Sequence, residues 1–595
     1  MADRFDVCVV GSGAGGGIVA YVLAKAGLRV CVLEKGPWLD GSDFSDDELK
    51  FGERNFIDQD PVIEPRTFRD RPEEGDHTYV GKVLKVSRCV GGGSVHYGAV
   101  CFRFRPEDFR ARTTFGNLPG ASIVDWPLTD DELDANNPRS IWAYYRKCEK
   151  LLGVAGGQMR SDASPGAPHD GEWRSDPYPQ PGHPPNYGAK LFEDAATQFG
   201  YHPFPTPVCI NNGPYTLDDP DFLTDGAPLT RNGCSYCGFC SSHGCPIDAK
   251  GDTRVTALAL AQRTGRCTII PDAHVIRVET KNGRASRVVY LDNDDALQAI
   301  EADRFVLAAS TVDTPRLTLL SEFPADLVNY DLVGRYLTTH HFPAAIGLFE
   351  QRIDYYRGFW CMRAFDDWYF GPPGTPKRFG FGNIQTFGPS SGYPIAAGGC
   401  ISTAKFMPWG RAHKQAMKSY FGHVQYIGMI AQDAPVAGNR VDLDPSVKDV
   451  WGLPVARITY THHPNDYAAQ VETVPILLAL LEAMGAVSRQ ASFGFASTTA
   501  IPQFFPGGVE HRGPGRSFPD PIAGTGNHQH GTMRMGFDAN ESVVNERGRF
   551  HGIPNLYVGD ASVLPTSGGY NPTLTVQAMA WRTAQGIVDE VSGTA

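Results

Sequence analysis

Two stretches of this 595-residue chain set residue types at spacings that support chemistry. The first is Cys234-x-x-Cys237-x-x-Cys240, four residues, then Cys245-Pro246. Thiolates are soft metal ligands, and this spacing differs by one inserted residue from the bacterial ferredoxin run. Three occupants fit the pattern: an iron–sulfur cluster, a tetrahedral zinc ion, or disulfides and free thiols. Gly238 and Gly244 let the backbone curl around an ion, and His243, inside the loop, reads as an exposed bystander, with a metal ligand as the alternative. The second stretch is Gly11-Ser12-Gly13-Ala14-Gly15-Gly16. Glycines so spaced let a turn tighten at Gly11, let backbone reach a pyrophosphate at Gly13, and let a helix pack closely at Gly16.

The elements around that glycine run are the ones a dinucleotide site requires. Phe5 to Val10 is a short apolar run of the kind buried on both faces of a parallel sheet. A helical stretch follows to Ala26, then a second strand from Arg29 to Leu33, and Glu34 closes it. Strand, glycine turn, helix, strand and acidic residue together make the fingerprint, with Glu34 placed to accept hydrogen bonds from ribose hydroxyls. At this stage FAD and NAD fit equally.

The bulk composition narrows the function classes. Hydrophobic residues are 42% and charged residues 20% of the chain, ordinary values for a soluble globular protein. A net charge of -12 and a pI near 5.8 speak against nucleic-acid binding, which needs a basic face. No apolar run is long enough to span a membrane as a helix. The start, Met-Ala-Asp-Arg-Phe-Asp, enters a strand with no charged-then-apolar leader and no twin arginine. By its own sequence the chain is expected in the cytoplasm, or in the periplasm if a signal-bearing partner subunit carries it. Cys8, Cys31, Cys101 and Cys361 lie singly among apolar residues and read as buried thiols.

Three further segments carry a family resemblance. Gly91-Gly92-Gly93-Ser94-Val95-His96-Tyr97-Gly98, then Arg103 and Pro106-Glu107-Asp108-Phe109, resembles the second flavin-binding signature of the glucose-methanol-choline (GMC) oxidoreductases. Phe305-Val306-Leu307-Ala308-Ala309-Ser310 with Thr314-Pro315-Arg316-Leu317 is similar to a second family segment. His528-Gln529-His530-Gly531-Thr532-Met533-Arg534-Met535-Gly536 matches the family's histidine run. Leu556 to Ser562, Pro565-Thr566 and Asn571-Pro572-Thr573-Leu574-Thr575 match its closing motif.

The resemblance implies an α/β protein with an α+β substrate part: a Rossmann-like FAD domain and a sheet-based substrate domain, both discontinuous in sequence. The FAD domain is expected over 1–120, 228–340 and 515–595, the substrate domain over 121–227 and 341–514, and a cysteine-rich loop over 231–252. FAD would be held by Gly11, Gly13, Gly16, Glu34, Gly91, Gly92, Ser94, His96, Val275, Asp560, Ala561, Pro572 and Thr573. His528 would take the hydroxyl proton while hydride leaves carbon for the flavin, with Asn571 bonding the same oxygen and His530 supporting. His96 aligns with the histidine that some members attach covalently to the flavin; an unmodified histidine is the alternative. Tyr97 stands where most members have asparagine. Large subunits of bacterial gluconate, fructose and glucose dehydrogenases carry a three-iron cluster near the region of Cys234, Cys237, Cys240 and Cys245, with different spacing.

The activity so implied is oxidation of a sugar, cyclitol or other alcohol. Electrons would pass to a quinone, cytochrome or dye, with a small subunit or cytochrome as partner. An oxygen-reducing oxidase and a hydroxynitrile lyase that keeps FAD as a relic are the alternatives. A non-catalytic electron-transfer subunit would not need both His528 and Asn571.

Overall fold

A computed structural model describes residues 4–47, 50–51, 56–84, 86–157, 176–388, 410–411, 414–415, 418, 421–493 and 527–594. Phe5–Val10 is a strand at the centre of a parallel sheet, flanked by Val30–Leu33 and by the end of Leu297–Leu307. Cys267–Ile270 continues the parallel sheet beyond Val30–Leu33, and Leu556–Val558 pairs with Leu297–Leu307. Arg284–Leu291 and His274–Lys281 then extend Leu297–Leu307 as an antiparallel meander. Val7, Cys8, Val9, Val30, Cys31 and Val32 are fully buried, as a sheet covered on both faces requires.

The register aligns the carboxyl ends of these strands. Val10 pairs with both Leu33 and Leu307, and Leu307 with Val558. Gly11, Glu34, Ala308 and Gly559 therefore follow one another along a single edge, the crevice where α/β sheets bind ligands. Two helices cover the sheet there, Ala14–Lys25 and the C-terminal Thr573–Ser592, with Tyr21 edge-on to Trp581 at 5.7 Å. Gly15 allows this: a Cβ there would lie 1.8 Å from the Gly559 carbonyl oxygen.

A second sheet stands across the crevice, in the order Ser488–Phe493, Pro343–Leu348, Val424–Ala431, Gly382–Phe387, Arg363–Phe365 and Phe204–Pro205. Its outer face packs against the helix Pro464–Ala483 through Leu477, Leu480 and Leu481, in a core separate from that of the first sheet. A smaller four-stranded sheet, Arg440–Lys448, Pro454–Thr459, Arg66–Arg69 and Tyr79–Gly81, closes the adjacent side. No helix among the described residues is long and apolar enough to cross a membrane.

Candidate active site

Between the two large sheets lies a cavity of about 790 Å³. Gly11, Gly13, Glu34, Gly92, Ser94, His96, Val275, Asp560, Ala561, Pro572 and Thr573 all line it, as do His528 and Asn571. Gly16 and Gly91 stand behind the wall. A Cβ on Gly16 would fall 2.0 Å from the Gly11 carbonyl oxygen, and Gly91 donates its N–H to Ser12 Oγ at 3.0 Å with φ +96. Both glycines shape the turns rather than the surface.

The two glycine turns touch. A Cβ on Gly92 would lie 2.8 Å from Gly13 Cα. Thr253 Oγ1 donates to the Ser12 carbonyl at 3.0 Å, and Thr253 N donates to Ser94 Oγ at 3.1 Å, tying both turns to a third segment. Glu34 accepts from Ser12 N at 3.0 Å, Ser12 Oγ at 2.6 Å and Gly36 N at 3.1 Å, so its carboxylate is fixed at the cavity wall; burial raises its pKa. Asp560 accepts from Ser310 N at 3.0 Å and Thr314 Oγ1 at 2.6 Å, and burial raises its pKa too. An elongated cleft floored by glycine backbone, with a carboxylate at each end of the floor, fits a dinucleotide such as FAD. At its far edge His96 Nδ1 stands 3.5 Å from the buried Asp58 carboxylate.

His528 comes to the cavity through strand-like pairing. His530 N donates to the Thr338 carbonyl at 2.9 Å and Thr338 N returns to His530 at 3.1 Å, antiparallel. That register sets residue 340 opposite residue 528, and His340 Nδ1 lies 3.0 Å from His528 Nδ1. Asn571 arrives from the other side, just before the helix Thr573–Ser592. Its Nδ2 is 3.3 Å from His528 Nε2, and its Oδ1 accepts from Gln385 Nε2 at 2.9 Å.

One arrangement of protons satisfies these contacts. Gln385 Nε2 can only donate, so Asn571 presents oxygen to it and its own NH₂ to His528. His528 Nε2 is therefore the unprotonated nitrogen and Nδ1 carries the hydrogen, which it donates to His340 Nδ1. Burial holds the His528 pKa down at about 3; His340 is lowered by burial first and then by His530 and His528. His530 is fully buried, with Nδ1 3.3 Å from the Thr338 hydroxyl. His340 and Gln385 carry little local signal: His340 belongs to a histidine pair with His341, and Gln385 is one of three polar residues, with Asn383 and Thr386, in its strand.

The four cysteines of the 231–252 loop are free thiols: Cys237 is exposed, and Cys234, Cys240 and Cys245 are half-buried. No three of their sulfurs lie within 4.8 Å of one another. Four thiolates around zinc, at about 2.3 Å each, would stand about 3.8 Å apart, so a formed zinc tetrahedron is not present. Neither is a disulfide among the described cysteines. Burial raises the pKa of Cys234 to about 11 and that of Cys240 further. His243 is not the exposed bystander its polar neighbours suggested. It is fully buried, 4.9 Å from the Phe51 ring and 5.2 Å from Phe239, because the loop folds inward there. Cys8, Cys31, Cys101 and Cys361 are all buried thiols, as expected.

The loop abuts the cavity. Ser242 N donates to the His96 carbonyl at 2.6 Å, and Ser241 and Ser242 line the cavity. The buried Lys250 ammonium bonds the carbonyls of Cys240 at 2.6 Å, His243 at 2.8 Å and Tyr97 at 3.3 Å, clamping loop to cavity wall.

Family profiles described as GMC oxidoreductase match residues 225–342 and 435–580, and one described as an NAD(P)-binding Rossmann-like domain matches 9–53. A 2-methyl-1,2-propanediol dehydrogenase of Mycolicibacterium austroafricanum is 30% identical over 98% of this chain and 94% of its own. The chain belongs to the GMC oxidoreductase family. A gluconate 2-dehydrogenase flavoprotein of Pantoea cypripedii is 28% identical over 99% of this chain and 94% of its own. A paromamine 6'-oxidase of Streptomyces fradiae is 29% identical over 99% and 92%. Among solved structures, pyridoxine 4-oxidase from Mesorbium loti superposes with a TM-score of 0.61 over 98% of this chain and 99% of its own, at 16% identity, which is a likeness of fold. This GMC oxidoreductase is an FAD-binding enzyme acting on CH–OH donors.

Proposed function

We propose that the chain oxidises an alcohol or sugar hydroxyl to a carbonyl, with His528 as the base and Asn571 holding the reacting oxygen. The observation that carries this is the chain of hydrogen bonds from Gln385 through Asn571 to His528 and His340, which brings the Asn571 amide and, beside it, His528 Nε2 to the cavity wall, where a substrate oxygen can take the place of their mutual contact. The substrate hydroxyl gives its proton to that nitrogen as hydride departs from carbon. FAD, held by the glycine turns, Ser94, His96, Val275, Asp560, Ala561, Pro572 and Thr573, supplies the hydride acceptor. The imidazolium formed on His528 keeps its Nδ1–H on His340, and Asn571 Nδ2 donates to the substrate oxygen. Anaerobic bleaching of the flavin by alcohols and sugars, lost in His528→Ala, tests the reading.

The position of His96 on the cavity wall, with the Asp58 carboxylate 3.5 Å from its Nδ1, supports a covalent bond from the other ring nitrogen to the flavin. For the electrons we propose release to an external acceptor rather than to oxygen, by way of the cysteine loop. Its support is position: the loop is clamped by Lys250 against the Tyr97 wall of the cavity. Thiol chemistry at Cys234, Cys237, Cys240 and Cys245 suits an iron–sulfur cluster, whose thiolates spread more widely than those around one ion. A relative named fructose dehydrogenase large subunit, from Gluconobacter japonicus, is 26% identical over 98% of this chain, and its name supports a partner subunit here as well. Iron and sulfide analysis of the purified protein tests the cluster.

A further inference from the structure

The second sheet turns a bare face toward His528. Alternate residues of adjacent strands point into the cavity: Phe342 and Ala344, then Tyr426 and Ile430, then Phe387. Their register is fixed, with Ala344 and Gln385 both opposite Gly428, and Phe387 opposite Tyr426. Gly428 makes the slot for Phe387, since a Cβ there would lie 2.4 Å from the Phe387 ring and 2.9 Å from the Pro343 carbonyl oxygen. Trp360 stacks on Phe387 at 5.5 Å and 20°, and packs on Gly98 beside the His96–Tyr97 turn. Phe342 comes within 5.4 Å of the His528 ring. Among the described residues the wall in front of the base is thus mostly aromatic and aliphatic, with Tyr426 and Trp360 adding one hydroxyl and one indole N–H.

Charged side chains line the same cavity, but elsewhere. Lys35 and Arg316 share Glu64 at the nucleotide end, Asp313 pairs with Arg66, and Lys82 pairs with Asp58 behind His96. Each has its partner outside the sheet face. Among the described residues, no Asp, Glu, Lys or Arg lines the part of the cavity formed by Phe342, Trp360, Phe387, Tyr426 and Ile430. A carboxylate or ammonium on the substrate would be desolvated there with no charge among the described residues to pair with, and a ring of hydroxyls would exchange its water for the few donors of Tyr426 and Trp360. A hydrocarbon body gains from the same surface.

We infer that the substrate is an uncharged alcohol whose non-reacting part is hydrocarbon, aliphatic or aromatic, rather than a sugar acid, an amino sugar or a free polyol. The inference rests on the proposed hydroxyl oxidation and narrows its substrate. The test is anaerobic flavin reduction of the FAD-loaded enzyme with ethanol, 1-propanol, 1-butanol, benzyl alcohol, D-glucose, D-glucosamine and D-gluconate. The apparent second-order rate constant should rise about fourfold per added methylene, the worth of burying one such group. Glucose, glucosamine and gluconate should each fall at least about tenfold below 1-butanol. Gly428→Ala, which drives the Phe387 ring into the cavity, should flatten the rise with chain length; the wild-type series stands alone if that variant does not fold. Reduction by glucose, glucosamine or gluconate at a rate matching 1-butanol and benzyl alcohol overturns the substrate class. Reduction by the sugars with none by the neutral alcohols also overturns it, while leaving the hydroxyl-oxidation reading intact. If no hydroxyl compound bleaches the flavin, the oxidation reading itself falls.

Discussion

Replacing His340 should cost the enzyme much of its base without touching the cavity. His340 Nδ1 accepts the His528 Nδ1 hydrogen at 3.0 Å in a buried setting. In His340→Leu that N–H has no acceptor, a loss of about 1–3 kcal/mol for a buried donor left unpaired. Taken from the transition state, where His528 gains positive charge, this amounts to about 5- to 150-fold in the rate of flavin reduction. The tautomer with hydrogen on Nε2 also becomes competitive, and that form cannot take the substrate proton. His340→Asn returns an amide oxygen near the lost nitrogen and should recover the rate to within about threefold. Stopped-flow reduction at saturating alcohol, across pH, reads both effects. The acid limb of the Leu variant should move to lower pH, because an imidazolium without its acceptor is the weaker base partner. A purely structural role would leave that limb in place. Wild-type reduction by His340→Leu, or equal losses in Leu and Asn variants that retain FAD, would refute the tautomer argument.

His528→Ala should slow flavin reduction by roughly 10²–10⁴-fold with FAD still bound, measured in the same apparatus; near-normal reduction places the base elsewhere. His341 and His530 are buried, and burial lowers both pKa values to about 3, below the unfolded value near 6.5. The unfolded chain then binds the extra protons, so stability is complete above pH 6.5 and is lost as pH falls, by about 2 kcal/mol per residue at pH 5. Urea midpoints at pH 7.5 and 5.0, with FAD in excess, check this, and an unchanged midpoint counts against it. If His96 carries the flavin, acid-precipitated protein stays yellow and His96→Ala releases FAD; a colourless wild-type pellet removes the covalent bond. Cys237→Ser should abolish dye or cytochrome reduction while flavin reduction by alcohol survives, and electron paramagnetic resonance should lose an iron signal. Zinc, or no metal, in wild-type protein sinks the relay.

Local chemistry made the nucleotide end legible in the sequence. Gly11 at φ +98 and Gly16 pressed against its carbonyl are demands of one tight turn, so their spacing along the chain is their spacing in space. Glu34 follows from the same unit, because a parallel strand of four residues must deliver it beside Gly11. His528 and Asn571 were readable for another reason: each sits in a run whose neighbours are fixed by one sharp backbone path, with Gly531 at φ +97 against the Tyr336 carbonyl. The support for those two residues was not readable. His340 lies 188 positions from His528, and Gln385 lies 186 from Asn571. Nothing in composition or period links such pairs; the pairing of Thr338 with His530 and the register of Gly382–Phe387 bring them together. The same holds for His243, buried against the distant Phe51, and for the four thiols, no three of whose sulfurs lie within 4.8 Å of one another. Sequence specified the chemistry that closes within one turn or one strand, and tertiary structure decided everything that depends on which strand lies beside which.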